Sequence, residues 1–424
     1  MQFRTLVCTI TITLCCAAAV AQNSNPQNAN SHYKLYSLGT VGGSSSSGNG
    51  INNLGWISGT SETRGDGTQQ AFLWLNGLRL GLGTLGGPNS SIPFPAKDDR
   101  GILVGISDTA LKDPWGENFC AFASGYECQA FAWRNGRTIG LPNTLGGNNS
   151  RAAGANNQGL VIGWAETGVQ DASCIPPAVL QYVPVVWGPN PNQMQVLPTL
   201  PNDPDGAAVA INGKGQIVGI SGPCGDDDGM GARHAVLWQN GTVTNLGDFG
   251  GQYFNTAAAI NSGGVIAGWL DAPNDIGLCN PACYGALWTP DGKITQIGPL
   301  PGDAFSLAYG INDQGQVVGQ SIDASGNSRA FIWQNGQISD LNEMTPPGSP
   351  YLVFAGDINN RGEITGGALD PNTGELGPGF LAVPTHDGNA RGATGVTKPV
   401  LSEKVRKQIM QNIGLGRVGG ARLD

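Results

Sequence analysis

Seven times along this chain an Asn-x-x-Gly element recurs, and no other feature constrains the fold as tightly. Aligned on their first residue, the copies begin at Asn52, Asp98, Asn156, Asn212, Asn261, Asn312 and Asn359. The spacings between them are 46, 58, 56, 49, 51 and 47 residues. A period of about 20–50 residues marks a solenoid, a propeller or a bead-like array.

Each copy contains two hairpin signals. In "AYGINDQGQVVGQS" an apolar strand turns through Asn312 and Gly315 into a second strand. An Asn opening the turn and a Gly at its end suit a type I turn with a glycine bulge. In "AFIWQNGQISDLN" the chain turns again at Asn335-Gly336. Asn76-Gly77, Asn135-Gly136, Asn240-Gly241 and Asp291-Gly292 repeat that turn. Asn-Gly between apolar runs is the strongest short hairpin signal. Third strands end at Trp74, Trp133, Trp187, Trp238, Trp288 and Trp333, positions that suit packing between sheets.

Four antiparallel strands per copy describe a propeller blade. The ends of the chain support closure of a ring. The seventh copy has only three strands, and an orphan strand, "YKLYSLG", stands before the first copy. Pairing the two removes two exposed edges. The fold expected is therefore all-β, a seven-bladed β-propeller of four-stranded antiparallel repeats closed by an N-terminal strand. A β-helix needs no paired hairpins and ranks second.

This topology sorts the loops by face. The Asn-x-x-Gly and Asn-Gly turns share one face, uniform and tight. The loops between second and third strands share the other, together with the crossovers, and they vary in length.

Composition agrees with many short strands. The 424 residues include 67 Gly, and only 12% are charged. The formal charge is −9, which excludes a nucleic-acid partner on electrostatic grounds. "MQFRTLVCTITITLCCAAAVAQ" has one basic residue, a short apolar run and an Ala-Val-Ala end, the form of a cleaved export signal over 1–21. A lipid-modified Cys15 or Cys16 is the weaker alternative. No later stretch has the roughly 18 apolar residues of a membrane span. Residues 22–31 read as a polar linker, 32–385 as the propeller and 386–424 as a tail, placing the chain in the extracellular space or the periplasm. Within the tail, Ser402 is a fitting N-cap, with Val405, Ile409 and Ile413 on one helical face. The segment suits docking on the ring or a disordered tail better than a membrane-surface role.

Six cysteines follow the signal: Cys120, Cys128, Cys174, Cys224, Cys279 and Cys283. An even number in an exported chain indicates disulfides. The loop positions suggest Cys120–Cys128, Cys279–Cys283 and, between adjacent blades, Cys174–Cys224. No cofactor or metal site is expected. Gly225-Asp226-Asp227-Asp228-Gly229 lacks the alternating oxygens of a calcium loop.

"LGTLGG" (82–87), "INDQGQVVG" (311–319) and "RAFIW" or "HAVLW" together resemble the extracellular HAF repeat family, over about residues 36–382. The resemblance implies an exported repeat protein and carries no catalytic residue with it.

Chemistry is sparse in the sequence. Gly81-Leu-Gly83-Thr-Leu-Gly86 has the letters of a dinucleotide loop but no strand–helix context, so it reads as a crossover turn. His234 occupies the slot used by Gln70, Gln129, Tyr284 and Arg329, and no nucleophile elbow accompanies it. The chain therefore reads as a non-enzymatic binding or structural module. Its ligand is unassigned, with carbohydrate and protein the two classes such loops suit. The candidate contacts are Trp115, Tyr126, Asp226 and Asp228 on the variable face. The alternative is an extracellular propeller hydrolase acting on polysaccharide, which needs paired carboxylates at one mouth of the channel.

Overall fold

The computed structural model describes residues 32–95, 98–190, 193–224, 233–274, 279–280, 282–385 and 396–413. The expected signal and linker, and Asp226 and Asp228, lie outside the described residues.

The chain forms seven four-stranded antiparallel sheets around a central axis, a seven-bladed β-propeller. Six blades use consecutive strands. In the seventh, strand Phe380–Thr385 pairs with strand His32–Ser37, in register from His32 opposite Thr385 to Ser37 opposite Phe380. The N-terminal strand thus completes the last blade, and no sheet edge is left open where the ring meets itself.

Inner strands are built of small residues, as in "AAVAI" and "TAAAI", because seven strands converge on the axis. Six of them carry a bulge in their pairing with the second strand, for example between Ala308 and Gly310. The bulge presses a first-strand carbonyl onto the second strand. A Cβ at Gly59, Gly105, Gly163, Gly219, Gly268, Gly319 or Gly366 would overlap that carbonyl oxygen. This is why every copy places a glycine at that point: only a residue without Cβ tolerates the approach.

The first turn works as expected and does more. The Gly315 N–H donates to Asn312 O at 3.1 Å, closing the turn. Asn312 Oδ1 accepts the N–H groups of Gln314 and Gln316 at 3.1 and 3.0 Å. Its side-chain amide then reaches the next blade and donates to Asn359 O at 3.0 Å. The same bond runs from Asn52 to Asp98 O, Asn156 to Asn212 O, Asn212 to Asn261 O, Asn261 to Asn312 O and Asn359 to Asn52 O, at 3.0–3.2 Å. One link of the circle differs. Asp98 has no amide to donate; there the Asp99 N–H donates to Asn157 Oδ1 at 2.8 Å.

At Asn76, Asn135, Asn240 and Asn335 the second turn has positive φ at both central residues, the two-residue form. Asp291-Gly292 differs: only Gly292 has positive φ, and its N–H donates to Thr289 O, so that turn is one residue longer.

On the opposite face three crossovers are pinned by a second-strand serine. The N–H groups of Leu85, Leu200 and Leu300 donate to Ser107, Ser221 and Ser321 Oγ at 2.9–3.0 Å. Trp187 and Trp238 are buried between blades and donate their indole N–H to Pro142 O and Pro198 O.

Three disulfides join Cys120 to Cys128, Cys174 to Cys224 and Cys279 to Cys283. Cys120, Cys174, Cys224 and Cys279 lie in the loops between second and third strands, Cys128 and Cys283 lie in the first residues of third strands, and Cys174–Cys224 ties blade three to blade four. Such bonds belong to a chain that folds outside the reducing cytosol. Among the described residues no helix is long and apolar enough to cross a membrane.

The amide circle predicts a specific cost. Asn312→Ala removes one donor and one acceptor, stranding Asn359 O and two turn N–H groups, and should destabilise by about 2–3 kcal/mol in chemical denaturation. Gly319→Ala should cost more than that, because a backbone carbonyl must move. If both variants melt like the wild type, neither the circle nor the bulge contact holds the ring.

Candidate functional site

The central channel has two mouths of opposite character. At the tight-turn mouth is an open well of about 170 Å³. Ile51, Ile211, Ile260 and Ile311 border it while buried among the blades, and the amide circle surrounds it. Above these lie the second residues of the turns, where Asn53, Asp99, Asn157, Ser262, Asp313 and Asn360 present side chains.

Hydrogen bonds between blades orient these groups. Asp99 Oδ1 accepts the Asn53 N–H at 2.9 Å, and Asp313 Oδ1 accepts the Ser262 N–H at 2.9 Å. The Asn360 amide donates to Asp313 Oδ2 at 2.7 Å, while Asn360 Oδ1 accepts the Asp313 N–H at 2.9 Å. Asp99 belongs to blade two and Asp313 to blade six, so the two carboxylates approach the well from opposite parts of the ring. The well therefore combines two fixed carboxylates with amides that donate and accept. That combination suits a polyhydroxylated ligand, whose hydroxyls can meet the wall.

The other mouth is filled. Helix α1, Glu403–Asn412, lies in it with Leu401, Val405, Ile409, Met410 and Ile413 buried against the channel lining. Ser402 caps the helix, its Oγ accepting the Val405 N–H at 3.2 Å.

Around that filled mouth the variable loops hold buried acids in pairs. Asp205 neighbours Asp171, and Tyr182 N–H donates to Asp205 Oδ1 at 2.6 Å. Burial pushes the Asp205 carboxyl up to about 8, with the Asp171 charge adding to it, while Asp171 stays low through its bonds to Ser173 and Asp205. Glu117 and Glu166 form a second pair between blades two and three, both raised first by burial, then Glu117 by the Asp113 charge and Glu166 by the charges of Glu117 and Asp113. Glu117 Oε1 accepts Leu180 N–H at 3.0 Å, and Asn149 amide donates to Glu166 Oε1 at 3.0 Å. Burial thus favours protonated carboxyls where adjacent blades meet. Glu117, Glu166 and Asp205 are buried away from any substrate.

Ser221, Asp203 and His234 invite comparison with a catalytic triad, but the wiring is wrong. Asp203 Oδ2 sits between the other two, accepting Ser221 Oγ at 2.8 Å and meeting His234 Nδ1 at 2.9 Å. A triad needs the histidine between serine and acid. Ser221 is fully buried. Ser321, Asp303 and Arg329 repeat the arrangement in another blade, so it is a crossover brace and His234 stands where Arg329 stands.

Trp115 is half exposed on the variable loop of blade two, its N–H bonded to Asp113 Oδ1 at 2.8 Å. Tyr126 opens the following strand, with Lys112 Nζ 3.4 Å from its ring centroid. Both belong to the face away from the open well. Sequence reasoning missed Asp99 and Asp313, since the uniform turns seemed to offer no chemistry. The available signal was the acid following the repeat Asn or Asp in two copies only.

No protein-family model and no curated protein matches the chain. Solved structures match at the level of the fold. A puromycin hydrolase superposes with a TM-score of 0.48 and 13% identity over 85% of this chain, which spans 55% of that one. A gluconolactonase from Xanthomonas campestris gives 0.36 and 13%, over 73% of this chain and 90% of its own. A polysaccharide lyase, an ulvan lyase, gives 0.32 and 11%, over 82% and 84%. This chain thus spans about half the length of the puromycin hydrolase. The expectation that the chain is not an enzyme is corrected here: the three solved structures just named are enzymes, and the absence of a recognisable motif is no ground for a non-enzymatic reading. At such identities the likeness concerns the fold, and activity has to be argued from the site.

The acid pairs make stability depend on pH in a stated direction. With its folded value about 8 and an ordinary value of 3.8 when unfolded, Asp205 holds a proton in the native state that the unfolded chain releases. Its contribution is complete below the unfolded value and is lost as pH rises through the folded one. Glu117 and Glu166 act in the same direction. The melting temperature should therefore fall from pH 5 to pH 9, and Asp205→Asn, which keeps the Oδ1 acceptor of the Tyr182 N–H, should flatten that fall. A wild-type melting temperature that rises across this range would refute the raised carboxyls.

Proposed function

We propose that this protein is an exported propeller hydrolase acting on polysaccharide, with the sugar bound in the well at the tight-turn mouth. The observation that carries the reading is the pair Asp99 and Asp313, held from two different blades over one open polar well. Cleavage of a glycosidic bond by carboxyl groups needs two of them, one to protonate the leaving oxygen and one to act as base or nucleophile. The side chains of Asn53, Asn157 and Asn360 line the well, where they can bind sugar hydroxyls. Export is supported by the three disulfides and by the signal-like first residues. The repeat pattern shared with extracellular HAF proteins agrees with it.

The reading is tested by reducing-end release from a panel of neutral and acidic polysaccharides. Asp99→Asn and Asp313→Asn keep the Oδ1 acceptor, so both should melt within a few degrees of the wild type. Each should lower kcat by about 100-fold or more. If the wild type releases no sugar from any polymer, or both variants turn over at the wild-type rate, the assignment of the well fails.

A further inference from the structure

The filled mouth has the features of a complex. We infer that the variable-face mouth is a receptor for a basic amphipathic helix, that the chain occupies it with its own segment 398–413, and that a polypeptide with the same pattern competes for it. The inference does not depend on the function proposed for the well.

The polar contacts are of the kind that select a ligand. Lys398 Nζ meets Asp303 Oδ1 and Asp323 Oδ2, each at 2.6 Å. Asn327 Oδ1 accepts the Leu401 N–H at 2.8 Å. Lys404 pairs with Glu375 at 2.9 Å, and Arg406 donates to Ser325 O. At the far end the Asn49 amide donates to Asn412 O at 2.6 Å, holding a carbonyl of the last helical turn. Between these anchors Leu401, Val405, Ile409 and Ile413 enter the channel at a spacing of four residues, the register of a helix lying in an apolar groove. The pattern recognised is a lysine, then four apolar residues at i+3, i+7, i+11 and i+15.

Two observations separate this contact from ordinary core packing. Every blade completes its four strands without the segment. Beneath Ile413, moreover, the fit is incomplete. A cavity of about 30 Å³ remains, lined by Phe94, Trp269 and Tyr309. Asn49 Oδ1 and Trp269 Nε1, both buried residues at that cavity, have no hydrogen-bond partner among the described residues. A mouth shaped only for this helix would have little reason to leave a donor and an acceptor unmet. A competing helix with a polar residue in the position of Ile413 could satisfy them.

A ten-residue helix is marginal in water by itself. Its order comes from the mouth, so release and unfolding of the tail are one event. A competitor needs to overcome the effective concentration of the covalently attached tail, of millimolar order.

The test uses the full chain and a fluorescein-labelled synthetic peptide of residues 396–413. In the double variant Lys398→Glu with Ile409→Asp the tail loses both its lysine anchor and its apolar centre, leaving the mouth open. Fluorescence anisotropy should show this variant binding the peptide about 100-fold more tightly than the wild type, whose own tail competes. A variant with the wild-type β-sheet spectrum and cooperative melt that fails to bind the peptide overturns the inference. Should the variant not fold, hydrogen exchange on the wild type decides. Amides of Glu403–Asn412 should exchange well before those of the blades. Exchange of the helix only in step with global unfolding would make it part of the core and sink the proposal.

Discussion

Everything in this molecule depends on the circle of side-chain amides that passes from blade to blade at the tight-turn mouth. Within a blade the backbone ladders are satisfied locally, and nothing in them states how many blades there are or how they meet. The asparagines do. Each uses its oxygen to hold its own turn and its amide to hold the neighbour's carbonyl, so turn geometry and ring geometry are set by one side chain. The link from Asn359 to Asn52 closes the circle across 307 residues of sequence, beside the blade completed by the N-terminal strand. At the single acid, Asp98, burial raises the carboxyl and Oδ2 has no partner among the described residues, the direction that restores a proton where the other copies have an amide.

That constraint also explains the contrast between the faces. Turns that must pass an amide to an identical neighbour cannot vary in length, so their mouth is regular, and its chemistry is confined to the next residue. There Asp99 and Asp313 interrupt a series of neutral groups. Loops on the other face carry no such duty and are free to lengthen. Their conformations are held by different means: disulfides, serine-to-crossover bonds and buried acids that accept backbone N–H groups. Those acids are linked to one another across blades, so a structural task accounts for their raised values without any role in turnover.

The tail helix gives the variable face a second task. A channel lined by Trp269, Tyr309 and Phe94 would expose an apolar opening were it not covered. Covering it with a basic helix matches the acids around the rim: Asp303, Asp323 and Glu375. With that mouth occupied, the well at the tight-turn mouth is the open end of the channel.

The sequence by itself determined the blades. Hairpin signals act over a few residues, so Asn335-Gly336, the Asn312 turn and the orphan strand at Tyr33 could be read without knowing what they pack against. The glycine of each second strand was visible as a repeat, but its cause, a bulged carbonyl on the inner strand, appears only when the two strands are paired. The site was decided by tertiary structure alone. Asp99 and Asp313 are 214 residues apart, and they line one well only because seven copies bend into a circle. The same holds for the helix: its apolar face was legible, whereas the mouth that receives it is assembled from several blades. Local periodicity is written in neighbouring residues, but a well or a mouth at the axis belongs to the ring as a whole.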